Sequence, residues 1–134
     1  TIDKFQHWVY ENPQHTVEER IQNWLHIYNE FSSDVLDMTG LEAFQSYIWQ
    51  KQLHLYEVPF YYIEYGMAQL GALGVWRNFL TDKTTAVAQY KAALSLGYTK
   101  PIGDIYKTAG VEFNFSASYI KALMEFVKSE LHKL

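Results

Sequence analysis

The chain has no cysteine. That excludes disulfides, cysteine nucleophiles and thiolate metal sites together, and it fits a reducing compartment such as the cytoplasm. No run of residues suits a bilayer span. The longest candidate, 59 to 80, contains Glu64, Gln69, Arg77 and Asn78, so a buried core helix explains it better. The opening residues, TIDKFQHWVYENPQ, lack the charged start and apolar block of a signal peptide. They also lack an initiator Met and begin within a helical pattern, so the chain is expected to be a piece of something longer. With 11 basic and 15 acidic residues the net charge is −4, and no basic patch stands out. Nucleic acid is therefore not an expected partner.

Motifs of chemistry are also missing. The five histidines are His7, His15, His26, His54 and His132, and no two stand four apart. There is no His-Glu-x-x-His; the nearest approach, Glu11 to His15 in ENPQH, has a proline inside it. Gly-x-Ser-x-Gly is absent, and Gly71 and Gly74 fall inside a helical segment, not in a phosphate-cradling loop. From residue chemistry alone, the chain carries half a site at most.

What is present is helix. The 134 residues fit one domain spanning 1–134, and 49% are hydrophobic and 17% aromatic, far too apolar for a disordered chain. A chain of this size buries roughly two thirds of its unfolded surface, enough for one core. Thr16 and Glu19 stand at capping-box spacing. Behind them Val17, Ile21, Trp24, Tyr28 and Phe31 make one apolar stripe, on a helix expected to end near Ser32 or Ser33. Thr39 and Glu42 repeat the cap, with Leu41, Phe44, Ile48 and Leu55 as the next stripe.

Pro59 is expected in the first turn of a third helix reaching about Leu80. A fourth runs from Asp82 or Thr81 to a stop at Gly97, and a short one follows Pro101 and stops at Gly110. The last begins near Ser116, with Ile120, Leu123, Met124, Val127, Leu131 and Leu134 on its apolar face. Only VEFNF, residues 111–115, alternates like a strand, and it is too short and isolated for a sheet. The fold class is all-α, a bundle of six or seven helices.

The segment HLYEVPFYYIEYGMAQLGALGVW, 54 to 76, holds the strongest signal. It is apolar on nearly every face, as befits a helix surrounded by protein. Its glycines each cost about 1 kcal/mol of helix stability relative to alanine, so close approach by neighbours must offset them. Glu64, within it, calls for a partner. Tyr62 and Tyr65 are three apart and would share a helix face; Tyr61 and Tyr65, four apart, are also neighbours. Each tyrosine taken singly is more readily core than site, its hydroxyl satisfied locally. The functional alternative is a pair of phenolic donors aimed at a substrate oxygen.

This block closely resembles the signature near the C-terminal end of oligoendopeptidase F. So does FQHWVYENPQHTVEER upstream, and YKAALSLGYTKPIGDIYKTAGVEFNFS resembles the closing segment of that family. The likeness covers essentially the whole chain. It implies the C-terminal part of an all-helical, thimet-oligopeptidase-like zinc metallopeptidase with a deep cleft for short peptides. In that family zinc is held by both histidines of a His-Glu-x-x-His helix and a later glutamate, and the motif's own glutamate activates the attacking water. This sequence contains none of these, so the resemblance implies no metal ligand in this chain, zinc only in the complete enzyme, and no activity from the chain alone.

What carries over is the wall of the cleft facing the metal, where a histidine and a Tyr-x-x-Tyr pair hold the substrate backbone and the tetrahedral intermediate. The pattern falls on His54, Tyr62 and Tyr65, with Tyr61 in reserve. The histidine stands about one residue off the spacing of the thimet-type relatives. The expected partners are peptide substrates and the N-terminal remainder of the peptidase. The competing readings are a standalone, non-catalytic helical module that binds peptides, and a structural remnant with no ligand.

Overall fold

The computed structural model describes residues 1–33 and 35–134. Among them there is no strand, and the fold is all-α. The chain divides into two compact units, Thr1–Glu64 and Tyr65–Leu134. No helix of the described residues is long and apolar enough to cross a membrane.

The first unit opens with α1, Ile2–Glu11, which packs against α2, Val17–Phe31. The capping box forms as its spacing predicts. The Glu19 backbone N–H donates to Thr16 Oγ1 at 3.2 Å, and the Thr16 N–H donates to Glu19 Oε2 at 2.7 Å. The helix stops at Phe31 with Ser32 as its cap. The stripe is narrower than its spacing suggests. Trp24 is buried, but the terminal Val17 and Phe31 are exposed, and Ile27 takes a core place the stripe omits.

Phe5, Trp24 and Trp49 form the centre of this core, with ring centroids 5.1 and 5.2 Å apart in tilted, edge-directed contacts. Such pairs add about 0.5–1.5 kcal/mol to the burial of their area. The Trp24 indole N–H also donates to the Gln45 carbonyl at 2.8 Å.

Residues 39 to 62 depart most from expectation. Thr39 is not a cap; its N–H donates to Asp37 Oδ1, and Glu42 Oε1 accepts from Gly40. Instead of one striped helix there is α3, Glu42–Gln45, a 3-10 turn at Ile48–Lys51, and α4, His54–Glu57. Phe44 is consequently 73% exposed, while Ile48 and Leu55 pack on the first core. Nor does Pro59 begin a helix. Phe60 behind it has φ of 63°, a left-handed conformation that interrupts the helix, and α5, Ile63–Thr81, starts three residues later.

The second unit takes most of α5, then α6, Lys83–Ser95, α7, Ile102–Thr108, and α8, Ala117–Leu131. Asp82 caps α6 by accepting from the Thr85 N–H, and Ser116 caps α8. Gly97 and Gly110, both at positive φ, mark the ends expected of them. Residues 111 to 115 are irregular, with Phe113 stacked edge to face on Tyr106 and on Phe115. The α8 face is only partly used. Leu123 is fully enclosed, but Met124, Leu131 and Leu134 are exposed.

The close approach expected at the α5 glycines is present. A methyl group on Gly74 would lie 2.7 Å from Val111 Cγ1, and one on Gly71 would lie 2.9 Å from the Tyr106 hydroxyl. The enclosure expected of α5 is not. Gly74 is its one buried residue, while Tyr65, Trp76 and Leu80 are exposed. Glu64 is exposed too, so it needs no buried partner.

Candidate functional site

Three of the four singled-out residues come together in the first unit. His54, the first residue of α4, stacks its ring on Tyr61 at 6.1 Å between centroids and 11° between planes. Tyr62 stands edge-on to the same imidazole at 5.3 Å and 87°. Tyr62 also packs on the Phe5–Trp24–Trp49 core, whereas Tyr61 is more exposed. Tyr65 lies in the first turn of α5 and belongs to the second unit, where it is half exposed.

Helical spacing does not produce this cluster. Tyr61 and Tyr62 precede α5, so the shared helix face expected for Tyr62 and Tyr65 is absent. The turn at 58–62 does the positioning. The Tyr61 N–H donates to the Val58 carbonyl at 3.2 Å, and the Glu64 N–H donates to Tyr61 at 3.0 Å. The strained Phe60 between them is held from α1. Its N–H donates to Gln6 Oε1 at 2.9 Å, and its ring rests on His7 and Tyr10 at 4.8 and 5.0 Å. A non-glycine residue in this region costs about 1–3 kcal/mol and persists only where its surroundings enforce it.

Gln6 and Phe60 were therefore the residues missed. Gln6 had a signal: it stands four after Ile2, on the apolar face of α1, where a polar residue needs a reason. Phe60 had none, because its conformation depends on a bond reaching 54 residues along the chain.

The second unit has its own polar anchor. The Tyr106 hydroxyl donates to the Met67 carbonyl at 3.0 Å. Burial, and secondarily Tyr119, raises the Tyr106 pKa above the ordinary phenol value, so it is a protonated donor at neutral pH. Beside it α5, α6 and α7 wall an apolar cavity of about 460 Å³, lined by Val75, Trp76, Phe79, Leu94 and Ile105 among others. The first unit has a smaller cavity of about 370 Å³. Neither of these two is lined by His54, Tyr61, Tyr62 or Tyr65. Among the described residues no three His, Asp or Glu side chains gather as a metal site would require.

These features define an all-α protein with a histidine–tyrosine cluster held by a strained turn. The chain belongs to peptidase family M3, whose family model matches residues 1–125. It is thus part of a metallopeptidase family. No curated protein and no solved structure matches it.

Proposed function

We propose that this chain is the C-terminal, substrate-facing part of a zinc-dependent oligoendopeptidase of the oligoendopeptidase F type, hydrolysing short peptides. The observation that carries the reading is the meeting of His54, Tyr61 and Tyr62 within a stretch that belongs to family M3. Tyr62 and Tyr65 would donate their phenolic O–H groups to the oxygen that gains negative charge as the peptide carbonyl is attacked. His54 and Tyr61 would hold the peptide backbone. A preorganised donor of this kind lowers a barrier by several kcal/mol because it needs no reorganisation at the moment of reaction.

The zinc that the family implies does not fit the described residues, which offer no ligand cluster. In the proposed complete enzyme its ligands would come from another part of the protein. The chain alone is expected to be inactive. A cytoplasmic location suits the cysteine-free composition.

The exposed apolar surface supports this reading over a standalone peptide-binding module. Ile63, Tyr65, Trp76 and Leu80 on α5, and Met124 and Leu131 on α8, are all exposed. A chain selected to stand alone keeps such surface small. An antibody against this chain tests the reading in the source cells. The expected band is several times larger than 15.7 kDa, and it should cut an internally quenched short peptide in a chelator-sensitive way. A band at 15.7 kDa alone would overturn the reading in favour of the module.

A further inference from the structure

Gln6 lies on α1 beside the buried Phe5 and is only 2% exposed. Its Oε1 accepts from the Phe60 N–H at 2.9 Å, which fixes the amide's orientation, because the reversed amide would set two donors against each other. Its Nε2 is enclosed and has no partner among the described residues. Leucine or methionine would fill this place without leaving a buried donor unpaired, so packing alone does not account for a glutamine here. The group it serves is costly as well. Phe60 holds φ of 63°, a conformation that its side chain disfavours. Two destabilising features thus meet in one hydrogen bond, and such strain gathers where surrounding structure holds a functional group in place.

The bond is one point of a clamp. Gln6 and Tyr10 are four apart and His7 and Tyr10 three apart, so the three share one stretch of the α1 surface. The His7 and Tyr10 rings hold the Phe60 side chain, at 4.8 and 5.0 Å between centroids, while Gln6 holds its backbone. The two rings lie at the surface; Gln6 does not, so water cannot readily replace its oxygen. Directly after Phe60 come Tyr61, stacked on His54 at 6.1 Å, and Tyr62, edge-on to the same ring at 5.3 Å. Relaxing Phe60 to an ordinary negative φ would rotate the chain that carries both tyrosines away from the imidazole.

We infer that Gln6 is a positioning residue, which acts through the Phe60 N–H to hold Tyr61 and Tyr62 against His54. Its kinetic consequence rests on the peptidase reading; the geometry does not.

The geometry is tested in the 134-residue chain by NMR. In the parent, the Phe60 amide should exchange at least about tenfold more slowly than an unprotected one, and the His54 and Tyr62 rings should show nuclear Overhauser contacts. Gln6→Met keeps the bulk and removes the oxygen. It should abolish both signs while urea unfolding stays cooperative. Gln6→Glu keeps an acceptor oxygen and should retain both. In the complete enzyme, on a quenched short peptide, Gln6→Met should lower kcat at least about tenfold and raise KM at least about threefold, and Gln6→Glu should keep most of the rate. A merely structural role would leave fewer active molecules, and so lower the apparent kcat at unchanged KM. An unprotected Phe60 amide in the parent, or intact ring contacts in Gln6→Met, overturns the inference without kinetics. Unchanged kcat and KM in Gln6→Met also overturn it where Tyr62→Phe lowers kcat. If Tyr62→Phe is silent, the peptidase reading has failed, and the ring contacts alone decide the role of Gln6.

Discussion

The first unit is built round large aromatic side chains, Phe5, Trp24 and Trp49, with Phe5 edge-on to Trp24 and tilted against Trp49. The second is built round small ones, Ala86, Ala93, Ala109 and Val111, with Gly71 and Gly74 admitting neighbours close to α5. Aromatic packing leaves room for a polar group such as Gln6, which is buried among these rings' neighbours. Small-residue packing brings segments close and leaves a smooth apolar cavity. The difference sets the histidine–tyrosine cluster and the buried Gln6 in the first unit, while the second offers a mostly apolar wall.

The sharpest break in this contrast is Trp24→Ala. It removes the central ring and the indole bond to Gln45, and it should cost about 3–5 kcal/mol in urea unfolding. A loss below 1 kcal/mol would mean that the first core does not depend on aromatic packing. The second core should respond to added atoms. Gly74→Ala brings a methyl group to 2.7 Å from Val111, at a cost of about 1–3 kcal/mol that the helical preference for alanine offsets by about 1. Gly103→Ala meets nothing within 4 Å and should cost nothing. Equal effects at the two glycines would refute the close-approach argument.

Smaller still is Tyr106→Phe, which deletes the bond to Met67 and should cost about 1 kcal/mol by the same measurement. The smallest effect is one the units share. The Glu19 carboxyl is held below the ordinary range chiefly by the Thr16 backbone N–H, then by the Thr16 hydroxyl. The Asp82 carboxyl is held below it by the Thr85 side chain, then by the Thr85 N–H. Lowered carboxyl values stabilise the fold above the unfolded value, about pH 4, and the contribution fades as pH falls through the folded value. Melting temperatures of Glu19→Gln and Asp82→Asn should therefore lie below the parent at neutral pH and converge with it in acid.

Helix ends were legible because their chemistry is local. Thr16 and Glu19, Asp82, Ser116, Gly97 and Gly110 act on backbone within a turn of themselves. The stretch 39–62 was not, since its course follows from the Trp24–Gln45 and Gln6–Phe60 bonds, which join residues far apart in sequence. The apolar character of α5 was read correctly, but what covers it was not, because hydropathy reports a preference for burial and not whether a neighbour supplies it. His54, Tyr61 and Tyr62 were found through resemblance; the helical spacing argued for Tyr62 and Tyr65 did not survive the turn at Phe60.

In the proposed enzyme the phenols at 62 and 65 act on the substrate oxygen. This role is tested most directly by the kcat of Tyr62→Phe and Tyr65→Phe in the complete enzyme, on a quenched short peptide. Loss of an oxyanion donor predicts a fall in kcat of at least about tenfold for each, with KM little changed. An unchanged kcat in both variants would contradict the claim and leave the tyrosines as packing alone.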